Sequence, residues 1–205
     1  MSKFEKLHKL KDQMEKDDSL SLKKGATKLV FGSGNTESKI LCVGEGPGRQ
    51  EDLQGLPFVG QAGKLLDKLL ILAGLERKKV FITNVVHHRP PENRDPLPEE
   101  ITSYSKYLDQ IINILNPNVI ITLGRFSMTK FLPNVFISQV HGKKHDVIWQ
   151  NKNVVVFPMY HPAASLRNGN ILRQEQTDFV EMGKLLPEIL DTKDDKVILE
   201  QETLV

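Results

Sequence analysis

Four short apolar runs place the strongest constraint on how this chain folds. Turn residues and then a helical pattern follow each of them: KILCV (39–43), KVFIT (79–83), NVIITL (118–123) and NVVVFPM (153–159). Runs that are short, β-branched and continuously apolar are typical of strands buried on both faces of a parallel sheet. The alternation predicts an α/β fold, a three-layer α/β/α sandwich with a central four-stranded parallel sheet and right-handed crossovers.

The length of 205 residues predicts a single domain, 1–205, with a proper core. Apolar residues at helical spacing predict an N-terminal helix over about 1–18: Phe4, Leu7, Leu10 and Met14. A last helix is predicted around TDFVEMGKLLPEIL, interrupted or kinked at Pro187. The polar segment at about 191–205 is expected to be a tail outside the core.

Charge and cysteine usage limit the setting in which the chain works. A net charge of +2 permits nucleic-acid binding without indicating it. The single cysteine, Cys42, excludes an internal disulfide framework and fits a reducing compartment. Because no run approaches the roughly 18 apolar residues of a membrane span, and no signal or transit peptide is visible, we expect a cytoplasmic protein without membrane contact.

Unusual residues follow all four predicted strands. The first run leads into the segment 44–48 (GEGPG), the second ends at Asn84, the third at Gly124, and the fourth leads into YHP at 160–162. Open parallel sheets bind ligands at the carboxyl ends of their strands. Since packing does not require such residues there, their convergence on one edge predicts a binding site at that edge.

The GEGPG segment invites a dinucleotide-binding interpretation, which fits it poorly. That fingerprint needs a helix that opens at the glycines, so that backbone amides face a phosphate. Here Pro47 and the polar stretch GRQEDLQGLP delay the next helix until about Gln61. The glycines instead favour close approach of the backbone to a planar or anionic group.

Five stretches resemble, in order, the motifs of the family 4 uracil-DNA glycosylases: VFGSGN, GEGPGRQEDLQGLPFVGQAGKLLD, FITNVVHHRPPENRDPLPEE, TLGRFS and MYHPAASLRN. The resemblance covers about Phe31–Asn168, which is most of the chain. It implies a parallel sheet sandwiched by helices, in agreement with the pattern above. It also implies hydrolysis of the N-glycosidic bond of uracil in DNA, the first step of base excision repair, after the base is flipped into a pocket.

The resemblance assigns a role to each of several residues. For uracil binding it implies Gly46, Phe58 as the stacking ring, Asn84 as the amide that reads the base, and His161 as the donor near O2. For catalysis it implies Glu45, Gly46 and His161, with Glu51 and Asp52 as further acids that could orient the attacking water. For DNA binding it implies a loop at 162–167 that enters the duplex, with Leu166, Arg167 and Arg89 as contacts.

One feature departs from the family, whose members hold a four-iron, four-sulfur cluster on four cysteines. By spacing, those positions are occupied here by Asp17, Leu20, His88 and Tyr104, none of which offers the thiolate that such clusters require. We therefore expect no cluster, with Leu20 and Tyr104 packing in its place and His88 hydrogen-bonding there. A zinc site on His87 and His88, with His141 or His145, is disfavoured because adjacent side chains on an extended segment point in opposite directions. No metal is predicted.

The expected partner is uracil-containing DNA, single- or double-stranded, bound by a monomer. One alternative is a catalytically inactive DNA-binding or uracil-recognition protein on the same fold. Another is a hydrolase of small nucleotides or nucleobases. Basic side chains favour a polynucleotide if they flank the pocket: Lys143, Lys144, Arg167 and Arg173.

Overall fold

A computed structural model describes residues 1–202 of the chain, and the side chains of residues 1–191. Its α-helices are α1 (Lys3–Lys16), α2 (Arg49–Gln54), α3 (Gln61–Leu72), α4 (Pro98–Leu115), α5 (Arg125–Thr129), α6 (Ile137–Val140), α7 (Pro162–Ser165) and α8 (Gly169–Glu202). Its strands are β1 (Ser33–Gly34), β2 (Ile40–Gly44), β3 (Phe81–Asn84), β4 (Val119–Leu123), β5 (His145–Trp149) and β6 (Lys152–Met159). Short 3₁₀ turns lie at Ser21–Gly25, Arg77–Lys79 and Pro91–Asn93.

The strands form one mixed sheet in the order β1-β3-β2-β4-β6-β5. The four predicted strands are its centre and run parallel to one another, whereas β1 and β5 pair antiparallel at the two edges. The prediction of a four-stranded parallel sheet was therefore wrong in its strand count and in its edges. The extra strand β5 joins β6 through Gln150 and Asn151, which both have positive φ, as the tight turn of a β-hairpin requires.

Helices cover both faces of the sheet because successive strand residues point to opposite sides. From β2, Leu41 and Val43 pack into the layer that contains the buried residues of α1 and α4. Ile40 and Cys42 point the other way, into the layer that contains α3 and α8. The three-layer arrangement leaves the carboxyl ends of the central strands at one open edge.

Several helix predictions are confirmed, and one is wrong. Helix α1 matches the predicted segment and buries Leu7, Leu10 and Met14, although Phe4 stays exposed. Helices α3 and α4 begin at Gln61 and Pro98 as predicted. The stretch before Gln61 was expected to lack a helix, yet α2 forms there. Helix α8 continues through Pro187 without interruption.

Two further expectations concern the end of the chain and membrane contact. The expected tail position outside the core concerns side chains after Asp191, which lie outside the described residues. Within the part of the chain that the structure describes, no helix is both long and apolar enough to cross a membrane.

Cys42 lies in the middle of β2 and is completely buried. Burial raises the pKa of its thiol to about 12, because a thiolate in this apolar layer would lose its hydration. The side chain therefore behaves as a small apolar core residue rather than as a nucleophile or a metal ligand.

Candidate nucleobase pocket

A cavity of about 450 Å³ opens at the carboxyl edge of the central strands, where the sequence predicts a site. Its lining comes from segments that are far apart in the chain: Glu45, Gly46, Pro47, Gly48, Glu51, Phe58, Ala62, Asn84, Pro90, Asn93, Arg94, Asp95, His161, Ala163, Ala164 and Arg167. Phe58, Asn84 and His161 thus share one cavity, although 103 positions separate the first from the last (58 to 161). The volume lies within the range of small-ligand pockets, roughly 300–1,000 Å³.

Phe58 is a buried aromatic in an uncommon backbone conformation. Its φ is +52°, in the left-handed region that bulky residues rarely adopt. Two glycines allow the backbone and ring to sit this close to their neighbours. A Cβ on Gly63 would lie 1.9 Å from the carbonyl oxygen of Phe58, and a Cβ on Gly44 would lie 2.6 Å from its ring. The sequence of this region is therefore matched to one placement of the ring.

Charged side chains contact the backbone on both sides of Phe58. Glu51 Oε1 accepts hydrogen bonds from the backbone N–H groups of Val59 (2.9 Å) and Gly60 (2.8 Å). Arg77 donates from Nη2 to the carbonyl oxygen of Pro57 (2.5 Å) and from Nη1 to that of Phe58 (3.0 Å). The carboxyl group of Glu51 is therefore partly engaged with the protein's own backbone.

Asn84 is the last residue of β3, and its side chain is 1% exposed. Its Oδ1 atom has no hydrogen-bond partner in the described part of the chain. The side chain also lies against Gly44, where a Cβ would approach Oδ1 to 2.4 Å. A buried acceptor left unpaired is unfavourable in a folded protein unless a ligand completes it.

His161 precedes α7 and caps its amino terminus, since its Nδ1 accepts a hydrogen bond from the backbone N–H of Ala163 (3.1 Å). Burial lowers the pKa of the imidazole to about 4, with a smaller opposing effect from the carboxylate of Glu51. The ring is therefore neutral at physiological pH. Because Nδ1 is the acceptor, its proton resides on Nε2, which is free to donate.

Glu45 follows β2 and lines the cavity in a half-buried position. Burial raises the pKa of its carboxyl group to about 7, the nearby charge of Asp95 adds to this effect, and Arg125 opposes it. Asp95 and Arg125 also form an ion pair with each other. A carboxyl group that titrates near neutral pH in a cleft is a feature of functional sites.

Not every residue singled out in the sequence reaches the cavity. Asp52 is buried away from it, and its Oδ1 accepts hydrogen bonds from the backbone N–H groups of Thr27 (2.8 Å) and Lys28 (3.3 Å). Arg89 donates to Asn93 Oδ1 (2.7 Å) and is not part of the lining. Of the four basic residues considered as flanking groups, Arg167 alone lines the cavity in the region that the structure describes.

Leu166 is about half exposed just after α7, beside Arg167.

The sequence analysis missed other lining residues, namely Ala62, Pro90, Asn93, Arg94 and Asp95. The last four lie in the polar, proline-rich loop that follows β3. Their position after the carboxyl end of a strand could have identified them as lining residues. Arg77 had no such signal, because it precedes β3 at the end opposite to the one at which parallel sheets bind ligands.

The residues at the four positions that the resemblance assigns to iron–sulfur ligands make contacts within the protein instead. Leu20 and Tyr104 are completely buried, and His88 Nδ1 lies 2.7 Å from the hydroxyl oxygen of Tyr104, which confirms the predicted packing and hydrogen bond. Asp17 Oδ2 accepts from Lys106 (2.8 Å) and from the hydroxyl of Tyr107 (2.7 Å). These residues do not fit a cluster, because none offers a thiolate and because Leu20, His88 and Tyr104 are packed into the interior.

Two histidines outside the cavity, His87 and His141, each have a partner for one ring nitrogen within the protein. His87 Nδ1 lies 3.2 Å from the carbonyl oxygen of Val30, and His141 Nδ1 lies 2.6 Å from Asp178 Oδ2. Among the described residues, the structure contains no group of three or more His, Cys, Asp or Glu side chains arranged to hold a metal ion.

Comparison with known proteins gives consistent matches. The family model described as the uracil DNA glycosylase superfamily matches residues 31–182. The chain is 46% identical over 170 residues to a type-4 uracil-DNA glycosylase of Archaeoglobus fulgidus, with 80% of this chain and 85% of that protein covered. It is 43% identical over 189 residues to the type-4 enzyme of Sulfurisphaera tokodaii (89% and 86% covered). It is 40% identical over 176 residues to that of Thermotoga maritima (84% and 90% covered).

Proposed function

Because this chain belongs to the uracil-DNA glycosylase superfamily, among its type-4 members, we propose that it hydrolyses the N-glycosidic bond of uracil in DNA and leaves an abasic site. The observation that carries this proposal is the meeting of Phe58, Asn84 and His161 in one cavity of suitable size. A hydrolase of this kind must hold a flipped base, distinguish it from cytosine and stabilise it as it departs. Each task has a side chain suited to it in the cavity.

Base recognition falls to Asn84 and Phe58. The unpaired Oδ1 of Asn84 accepts from uracil N3–H while its amide nitrogen donates to O4, a pattern that cytosine does not complete. A pocket built around such buried groups rejects an analogue that leaves them unpaired by factors on the order of 10⁴. Stacking of the base on Phe58 adds roughly 1–3 kcal/mol. Gly46 lines the cavity with its backbone, and a Cβ there would lie 2.7 Å from Cγ2 of Val86.

Bond cleavage relies on His161 and Glu45. When the bond breaks, its electron pair goes to uracil N1, the charge spreads to O2, and the sugar becomes an oxocarbenium-like centre that a water oxygen attacks at C1′. The neutral His161 donates from Nε2 to O2 and so stabilises the departing anion. Glu45 orients the water and takes up its proton. Asp52 has no part in this scheme, because its carboxylate is engaged with the backbone of Thr27 and Lys28.

DNA contacts are assigned to the loop after α7. Leu166 is exposed and suited to fill the gap that the flipped base leaves in a duplex. Arg167 lies at the cavity and is suited to contact a phosphate next to the uracil. Arg89 supports the neighbouring loop through Asn93 and is a more distant phosphate contact.

The chain acts without an iron–sulfur cluster in this proposal. The support is the donor set, since Asp17, Leu20, His88 and Tyr104 offer no thiolate, and since Leu20 and Tyr104 are packed into the interior. Iron analysis and a visible absorption spectrum of the purified protein test this point. We expect no stoichiometric iron, and a cluster-like absorption band with iron would overturn it.

The test of the activity is incubation with a single-stranded oligonucleotide that contains one uracil, followed by alkaline cleavage of abasic sites. We expect strand breaks at the uracil with the wild-type protein and none with Asn84→Ala. An oligonucleotide with thymine or cytosine at the same position is the matched control. Binding of the uracil strand without any cleavage would favour a recognition protein over an enzyme.

A further inference from the structure

We propose, on the basis of the function above, that Arg77 and Glu51 are positioning residues that fix the ring of Phe58 for uracil stacking through its backbone. Neither side chain contacts the base in this role. The pair contacts opposite ends of one short segment, Pro57–Gly60, with a cation on its carbonyl groups and an anion on its N–H groups.

The cationic half of this arrangement is the guanidinium of Arg77. Its two terminal nitrogens donate to two consecutive carbonyl oxygens, those of Pro57 and Phe58. Nη1 also donates to Asp67 Oδ1 on α3 at 2.9 Å, so the guanidinium is itself held in place. A planar group with several donors in fixed directions suits such a contact, whereas a lysine ammonium has no comparable geometry.

The anionic half is the carboxylate of Glu51 on α2. One oxygen, Oε1, accepts from both Val59 and Gly60, the two N–H groups that follow Phe58 and lead into α3. Acids at the amino terminus of a helix are stabilising because the free N–H groups point towards them. The acidic side chain of Glu51 therefore stabilises this segment, independently of any role in orienting an attacking water.

Phe58 needs such support because its backbone is in the left-handed region. A bulky residue holds that conformation only where its surroundings require it, and such residues cluster at functional sites. Without the contacts to its flanking carbonyl and N–H groups, the segment would relax and carry the ring with it. The ring lies against His161, with centroids 5.8 Å apart, so the displacement would reach the reacting end of the pocket.

The experiment is a double-mutant cycle between Arg77→Ala and Phe58→Ala, measured as single-turnover excision from a single-stranded uracil oligonucleotide. A small misplacement of a positioning group lowers rates by about tenfold to a hundredfold. We expect a loss in this range for Arg77→Ala in the wild-type background. In the Phe58→Ala background we expect a further loss of less than about twofold, because the ring through which Arg77 acts is gone.

The matched control is a variant that loses a positive charge next to Arg77. Lys78 lies next to Arg77, is exposed and pairs with Glu76 (2.8 Å), so Lys78→Ala removes one positive charge without touching the Phe58 segment. We expect its excision rate to be within about twofold of wild type. Guanidinium ion added to Arg77→Ala should restore part of the lost rate, while sodium chloride at equal concentration should not, which separates rescue from the salt sensitivity of DNA binding.

Thermal unfolding of each variant separates positioning from loss of the fold. If Arg77→Ala does not fold, Asp67→Asn provides the second route, because it frees Arg77 from α3 without removing it; its loss should also vanish in the Phe58→Ala background. Equal losses in the two backgrounds, or no loss in either variant, would overturn the positioning role. A wild-type protein that excises no uracil would instead overturn the proposed function.

Discussion

The ring of Phe58 lies over that of His161, with centroids 5.8 Å apart and planes inclined by 30°. This contact places an apolar surface against the imidazole and contributes to the burial that keeps it uncharged. The absence of a side chain at Gly124 also allows His161 to lie close to the backbone there, because a Cβ on Gly124 would lie 3.1 Å from the Cβ of His161. The ring proposed to stack on uracil and the imidazole proposed to stabilise its anion therefore form one packed unit.

His161 should remain neutral well below the pH at which histidine ordinarily titrates. Burial lowers its pKa to about 4, so we expect an imidazole titration midpoint near 4 by NMR, with the proton on Nε2 above it. His161→Ala should lower the single-turnover rate by about 10²–10³, the usual effect of removing one donor to a developing anion. A midpoint near 6.5 would contradict the burial of the ring.

Glu45 should determine the acidic side of the pH–rate profile. Burial raises the pKa of its carboxyl group to about 7, and an acid that orients water works in its ionised form. We therefore expect the single-turnover rate to rise with pH up to about 7 and then level off. Glu45→Gln should be slower and should lack this rise. Glu181→Gln, on the exposed side of α8, is the control and should keep the wild-type profile.

Asn84→Leu should separate activity from stability. The substitution removes a buried oxygen that has no partner in the described structure, so the free energy of unfolding should stay level or rise by about 1 kcal/mol. Excision should fall by a factor on the order of 10² or more. Thr83→Val is the contrasting neighbour, because it removes a hydroxyl that donates to the carbonyl of Phe31 (2.7 Å), and it should destabilise the fold. Thermal unfolding and excision assays check both.

Glu175 should make stability depend on pH. It is fully buried on α8, where burial raises the pKa of its carboxyl group to about 7; a hydrogen bond from Ser165 opposes this effect, and the charge of Asp178 adds to it. The folded state therefore holds a proton that the unfolded chain releases at about pH 4.5. The free energy of unfolding should fall as pH rises from about 4.5 to 7, by on the order of 3 kcal/mol.

In Glu175→Gln the contribution of this group should disappear, and the stability curve should be flatter over the same interval. Denaturant unfolding at several pH values measures the difference between the two proteins. An unchanged slope in the variant would show that the carboxyl group titrates normally.

Leu166→Ala should discriminate between DNA forms. A wedge is needed only where a base must leave a stacked duplex, so we expect about a tenfold loss on double-stranded substrate and little change on single strands. Arg167→Ala should weaken binding to both forms and lower the salt slope of binding by about 1. Equal losses of excision on both substrates for Leu166→Ala would contradict the wedge role.

The carboxyl-edge site was predictable because parallel strands place their ends together whatever the loops do. Gly44 and Asn84 end neighbouring strands and are paired in the sheet, at the edge that the strand pattern predicts. The edge strands were not predictable in the same way. β1 has two residues, too few for any periodic pattern, and β5 alternates between half-buried and exposed positions.

The adjacent acids Glu51 and Asp52 show that residue type alone does not predict the direction in which a side chain points. The family resemblance made both of them candidates to orient water, in a stretch that was expected to lack a helix. They lie instead on α2, where neighbouring residues point about 100° apart, so one faces the cavity and the other faces Thr27. Arg77 was missed because its contacts to the Phe58 segment are to carbonyl oxygens, which no residue pattern reveals.

Cys42 has a practical consequence for observing how DNA is engaged. Its thiol is enclosed within the sheet and stays protonated far above neutral pH, so maleimide dyes have no access to it in the native protein. A cysteine introduced beside Arg167, in the loop after α7, would therefore be the one thiol that a maleimide fluorophore labels. Such a label would test, in real time, whether the loop after α7 leaves water and enters a DNA duplex.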